Sequence, residues 1–141
     1  MPDLRASRRG LDLVGGFATG AVAAGIKPSG KPDCALIVAE APCAAAGVFT
    51  RNQAAAAPVR YSRRALRRAA HRAIVVNAGN ANCATGADGL ADSKAMAARA
   101  AARIGCAPGE VLVCSTGVIG VPLPMPTVLA GIDAAHAALL G

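Results

Sequence analysis

Two short runs in this sequence combine residue types that can do chemistry. The first is Cys114-Ser115-Thr116-Gly117-Val118-Ile119-Gly120, which follows a buried-type apolar run at 111–114. A hydroxyl and a glycine N–H side by side at the end of a strand are suitable donors to a developing oxyanion. Thr116 can aim its Oγ1 there, and Gly117, lacking a Cβ, lets a substrate approach the backbone. Other chemistries fit less well. Ser115 is not set in the GxSxG elbow of a serine hydrolase. Cys114 has no neighbour that would lower its thiol pKa. The glycines do not form the GxxxxGK[ST] pattern of a phosphate loop.

The second run is Asn77-Ala78-Gly79-Asn80-Ala81-Asn82-Cys83-Ala84-Thr85-Gly86, which follows the apolar run 73–77. Asparagine side chains bridge backbone groups in turns, and the glycines permit left-handed backbone. Such a loop either presents several N–H groups to one anion or carboxylate, or is an elaborate turn ahead of a helix. The residue types alone leave both readings open.

The elements that must position these runs follow from apolar patterning. Short β-type runs lie at 34–39, 47–50, 73–77 and 111–114, bounded by Gly, Pro, Asp or Asn, as expected of strands buried on both faces. Helical segments lie between and after them. One runs from a Ser62 cap to about Arg72. A second covers 89–104, with Asp88 as its cap, Gly105 as its stop and an apolar stripe of Met96, Ala100 and Ile104. A third covers 127–140, with Val128, Ile132, His136 and Leu139 on one face. This order predicts an α/β fold with helices layered on a sheet, incomplete in this chain. Residues 1–141 are expected to form a single partial domain, with 1–10 flexible.

Composition narrows the function classes. The chain has 141 residues, 15 Lys and Arg against 8 Asp and Glu, and a net charge of +7. Apolar residues make up 54%, which excludes a disordered chain. Aromatic residues make up only 2%, so Phe17, Phe49 and Tyr61 are the sole rings for stacking bases. Seven of the arginines lie between Arg51 and Arg72, and Arg63, Arg64, Arg67 and Arg68 recur in pairs every four residues, so they share one helix face. A solvated helix accounts for them better than a nucleic-acid-tracking stripe does. Alanine and valine make a thin core, so this chain is not built to stand alone.

Targeting and metal signals are weak. The five cysteines, Cys34, Cys43, Cys83, Cys106 and Cys114, are widely spaced. They read as reduced, mostly buried side chains of a cytoplasmic protein, with no metal site. Ser7-Arg8-Arg9-Gly10-Leu11 imitates a twin-arginine signal, but Asp12 and the glycines that follow argue against export. The uncharged stretch 111–132 is long enough to cross a bilayer. Pro122, Pro124 and Pro126 break it into a strand, a loop and a helix start, so no membrane segment is expected.

Taken in order, the motifs resemble those of the bifunctional glutamate N-acetyltransferase / ornithine acetyltransferase family of arginine biosynthesis. The matching stretches begin with Gly16-Phe17, Ala24-Gly25-Ile26-Lys27 and Pro32-Asp33 leading into Ala35-Leu36-Ile37. They continue through Ala46-Gly47-Val48-Phe49-Thr50-Arg51-Asn52 and Ala56-Ala57-Pro58-Val59 to the Asn-rich loop, where Ala78 replaces a common serine, and to 115–120 with Leu123-Pro124. The resemblance implies an acyltransferase that moves acetyl from N-acetylornithine to glutamate. It implies a precursor that cleaves itself, so that a threonine at the head of a second, β chain is the nucleophile. Thr116 and Gly117 would then form the oxyanion hole.

The same resemblance implies no cofactor, although bifunctional members use acetyl-CoA as co-substrate, and an assembly of two α and two β chains. Thr19 and Thr85 follow alanine but precede glycine, unlike the family's cleavage junction. The nucleophile and the substrate-gripping residues are therefore expected beyond residue 141. The readings set against this one are a related self-cleaving aminopeptidase or amidase and a basic nucleic-acid-binding module.

Overall fold

A computed structural model describes residues 14–139; the expectations for 1–10, for the arginine pair at 8–9 and for Asp12 lie outside them. The elements in chain order are β1 (Phe17–Val22), β2 (Cys34–Cys43), α1 (Ala57–Ala65), β3 (His71–Asn80), α2 (Gly86–Ile104), β4 (Val111–Val118) and α3 (Met125–Leu139). They form a four-stranded sheet in the order β1-β2-β3-β4. The first three strands pair antiparallel, and β3 and β4 pair parallel through the α2 crossover. The α/β reading with helices layered on a sheet holds.

The valine-rich runs form strands because β-branched side chains fit a pleated surface, and alternation divides the sheet into two unlike faces. Cys34, Leu36, Val75, Val111 and Val113 are buried on one face, against Met96, Ala97 and Ala100 of α2 and Val128, Ile132 and Ala135 of α3. On the other face Ala35, Ile37, Ile74, Val76 and Leu112 remain only partly buried. These strands are therefore covered on one face, not on both as their continuous apolar runs suggest.

Several elements depart from the sequence expectations. β1 was not anticipated, because Phe17–Val22 (FATGAV) carries one aromatic and one β-branched apolar residue and two small alanines. It exists because its backbone pairs with β2, from Phe17 opposite Ala39 to Val22 opposite Cys34. The segment 47–50 is not a strand; its Val48 is fully exposed. α1 begins at Ala57 with Pro58 in its first turn and ends at Ala65, so Arg67 and Arg68 lie beyond it. The pairs 63/64 and 67/68 consequently do not share one helix face. Thr85, not Asp88, precedes α2, and Asp88 sits in the first turn, where it favours the helix dipole. Gly105 ends α2 in the left-handed conformation, as expected. α3 starts at Met125, two residues early, and buries Val128, Ile132 and Ala135 with His136 only partly covered.

The cysteines also differ from expectation. All five are free, but only Cys34 is buried; Cys43, Cys83 and Cys106 are intermediate and Cys114 is exposed. Burial, with Asp33 beside it, pushes the Cys34 thiol up to about 11. The stretch 111–132 is β4, a loop and the start of α3, and no described helix is long and apolar enough to cross a membrane.

Ser62 performs a different task from the helix cap expected of it. It lies buried in α1, where its Oγ donates to the Val113 carbonyl at 2.8 Å and accepts from the Val113 N–H at 2.9 Å. β4 is an edge strand, and one hydroxyl thus satisfies both outward backbone groups of Val113 and closes that edge to strand pairing. Ser62→Ala leaves both groups buried without partners, so it is expected to lower unfolding stability by about 1–3 kcal/mol. Chemical denaturation of the intact protein measures this, and an unchanged midpoint would contradict the edge-sealing role.

Candidate functional site

The parallel pair β3 and β4 carries both chemical motifs to one end of the sheet. Its register places Asn77 beside Ser115, Ala78 beside Thr116 and Gly79 beside Gly117. Gly117 has φ +130° and Gly79 has φ +128°, backbone that side chains rarely adopt. A Cβ on Gly117 would collide with the Gly79 carbonyl, and one on Gly79 would come within 2.7 Å of Ile26. Gly117 therefore packs directly on the Gly79 carbonyl of the paired strand, where any side chain at 117 would collide.

The Asn-rich run is strand β3 as far as Asn80 and a turn from Ala81 into α2, and its amide side chains bond within the fold. Asn77 Nδ2 donates to the Asn80 carbonyl at 3.0 Å. Asn80 Nδ2 reaches the Pro122 carbonyl at 2.9 Å, beyond the end of β4. Asn82, fully buried, donates to the Gly89 carbonyl and to Ser93 Oγ and accepts from Thr85 Oγ1, which ties the loop to the first turns of α2. Asn82 and Ala84 hold left-handed backbone at φ 48° and 59°. Backbone bonds from Ala81 to Val118 and from Gly120 to Cys83 complete the knot.

Thr116 and Gly117 are exposed. By alternation Thr116 shares the uncovered face with Leu112 and Cys114. Val118, Ile119 and Val121 form an exposed apolar rim beside it. Cys114 is no nucleophile in the making, since desolvation pushes its thiol up. Behind the motif, Asn77 Oδ1 and Ser115 Oγ are buried without hydrogen-bond partners. A cleft of about 480 Å3 opens next to the loop, lined by Asn52, Gln53, Cys83, Thr85 and Ile119 among others. No cluster of metal-ligating side chains occurs among the described residues.

Known proteins share this arrangement. The sequence profile of the ArgJ family matches residues 18–140. The chain belongs to the ArgJ family. It is 55% identical over 119 residues to the arginine biosynthesis bifunctional protein ArgJ of Thermus thermophilus, covering 83% of this chain and 31% of that protein. It is 50% identical over 121 residues to the ArgJ of Streptomyces coelicolor, covering 85% of this chain and 32% of that one. The chain thus spans about a third of the length of these ArgJ proteins. Among solved structures, the ornithine acetyltransferase of Mycobacterium tuberculosis complexed with ornithine superposes with a TM-score of 0.88 at 45% identity, over 92% of this chain and 70% of that one. The Bacillus halodurans ArgJ gives a TM-score of 0.81 at 34% identity, over 89% and 68%.

One residue that positions this ArgJ motif gave little sequence signal. Asp33 is buried, and its carboxylate accepts the Ala24 N–H at 2.7 Å and the Lys27 N–H at 2.8 Å. Its own carbonyl accepts the Ala78 N–H at 2.8 Å, so it links the 24–27 turn to the base of the Asn-rich loop. Burial opposes its charge, but the N–H groups of Lys27, Ala24 and Ile26 prevail and hold its pKa below the usual 3.8. A lowered pKa stabilises the fold above pH 3.8, and that contribution is lost as pH falls through the folded value. Asp33→Asn is expected to cost about 1.5–3 kcal/mol near neutrality, with the gap from the native protein closing in acid. Denaturation series at several pH values check this; a gap that widens below pH 3.8 would refute the clasp.

Proposed function

We propose that the intact protein carrying this chain is an acyltransferase that moves acetyl from N-acetylornithine to glutamate, with Thr116 Oγ1–H and Gly117 N–H as its oxyanion donors. The observation that carries the reading is the Thr116-Gly117 step itself, locked against Gly79 and presented on the uncovered sheet face. Family membership and a solved relative complexed with ornithine support the substrate class. The nucleophile in this reading is a threonine hydroxyl at the head of a β chain cut from the same precursor, meeting the donors across the open face.

The donors act twice. Attack of the threonine oxygen on the acetyl carbonyl makes a tetrahedral oxyanion between Thr116 and Gly117. Collapse breaks the C–N bond, and the ornithine amine leaves with the proton given up by the threonine. The acetyl-threonine ester then meets the glutamate amine, passes through the same oxyanion and returns the threonine hydroxyl. The chemistry needs no cofactor; acetyl-CoA can load the same ester as a co-substrate. Two α and two β chains in the cytoplasm complete the proposal.

Donors fixed in advance are worth most where charge develops, because they need no reorganisation at the moment of reaction. Thr116→Ala is therefore expected to lower kcat by about 100–1,000-fold with KM little changed. The native enzyme should give parallel double-reciprocal lines when N-acetylornithine and glutamate are varied, the pattern of a covalent acyl intermediate. An unaltered kcat in the variant would sink the oxyanion assignment, and transfer of acetyl to water in place of glutamate would favour an amidase.

A further inference from the structure

Away from the Thr116 motif, α1, α2 and the turn Pro108–Glu110 enclose a cavity of about 390 Å3. That size lies in the range of small-molecule sites. Arg60, Arg64, Arg68 and Lys94 line it, with no carboxylate among the lining residues. Among the described residues, the ion pairs are those of Arg99 and Arg103 with Asp133, so these four cations have no acidic partner there. Arg60 and Arg64 stand four residues apart in α1, a spacing at which like charges disfavour a helix, and Arg68 follows just beyond its end. The arrangement costs local stability and leaves a concentrated positive field inside a partly enclosed space.

The cavity has features of a built site. Arg68 rests on the backbone of Gly109, where an added Cβ would lie 2.6 Å from its Nε, so the absence of a side chain at 109 gives the guanidinium its place. Tyr61, Ala65 and Leu90 supply apolar surface among the cations, on the same two helices. The Tyr61 hydroxyl donates to the Pro108 carbonyl at 2.7 Å, which fixes the ring. Arg63 points elsewhere, donating to the Thr50 carbonyl at 2.8 Å and lying 5.3 Å from the centre of the Phe49 ring. Arg64, Arg68 and Lys94 thus line this cavity together with Arg60, which also borders the neighbouring clefts, and Arg63 is directed away from them.

From these observations we propose that the cavity between α1 and α2 binds a nucleoside diphosphate, its phosphates among Arg60, Arg64, Arg68 and Lys94 and its base toward Tyr61 and Leu90. Guanidinium groups suit phosphate oxygens as paired donors, and an aromatic wall suits a planar base better than bare phosphate. The cavity contains neither Thr116 nor Gly117, although Arg60 also borders the cleft beside the Asn-rich run, and the proposal does not rest on the acetyl-transfer reading.

Calorimetric titration of the intact protein at low salt with ADP, inorganic pyrophosphate and adenosine tests the proposal, with acetyl transfer assayed separately. ADP is expected to bind, pyrophosphate about 10-fold more weakly, and adenosine not measurably. Joint Arg64→Ala and Lys94→Ala substitution should weaken ADP binding by about 10–100-fold with acetyl transfer unchanged. Gly109→Ala displaces Arg68 while keeping every charge, and should weaken ADP binding with the fold retained. Three results would overturn the proposal: no ADP binding at millimolar concentration, equal affinity for pyrophosphate and ADP, or single-stranded RNA binding that ADP does not displace.

Discussion

The close crossing of β3 and β4 at Gly79 and Gly117 is the constraint on which the rest of this structure depends. Two glycines in register, both with φ near +130°, let the strands approach until a single Cβ would meet carbonyl oxygen. That approach sets the position of the Gly117 N–H relative to the Thr116 hydroxyl, and it lets Asn80 reach across to the chain beyond β4. The Asn-rich run satisfies backbone carbonyls beyond the ladder, at Asn80, Pro122 and Gly89. It does so with amide side chains, which can donate and accept within the same turn. Thus the runs 77–86 and 114–120, far apart in sequence, are one hydrogen-bonded unit.

Around this unit the sheet is finished unevenly. The β4 edge is closed by one serine hydroxyl on Val113, a device that needs only a short helix set against the strand. The helix-bearing face is packed with alanine, valine and one methionine, and the small side chains let α2 and α3 lie close to the strands and to each other. Arg99 and Arg103 grip Asp133 across those two helices and hold its carboxyl well below the usual range. Exposed arginine stems make this a modest contribution to stability. The burial of Met96, Val128 and Ile132 is the stronger tie.

How far the sequence predicted this depends on which physical effect governs each element. The runs at 34–39, 73–77 and 111–114 were legible because β-branched apolar residues dominate them, and the 89–104 helix because Gly105 supplies its left-handed stop. β1 was not legible, since Gly20 and three small neighbours carry almost no propensity; pairing with β2 creates it. The run at 47–50 read as a strand on local pattern alone and has no partner strand to pair with. Ser62 satisfied the rule for a helix cap, but Pro58 starts the helix earlier and leaves the hydroxyl facing β4. Thr116 and Gly117 were singled out by residue type, and the structure brings them together with the Asn-rich loop as neighbours in register. The contribution of Asp33 stayed hidden because it acts through backbone N–H groups, which leave no trace in side-chain identity.

The uneven sheet and the reactive donors are aspects of one arrangement. Thr116 lies on the same face as Ile37, Ile74, Val76 and Leu112, the apolar residues that the helices leave partly uncovered. Removing those side chains from water is favourable by about 25 cal/mol per Å2 of apolar area, so the face that carries Thr116 is one that a further segment gains by covering. In the proposed reaction, whose nucleophile comes from another chain, burial of this face would also bring that chain toward Thr116 and Gly117. Binding energy between the parts is then used for orientation, the costliest component of a two-group reaction. It also excludes water from donors that would otherwise be solvated. The proposed donor pair stands on an exposed strand end beside this uncovered apolar face.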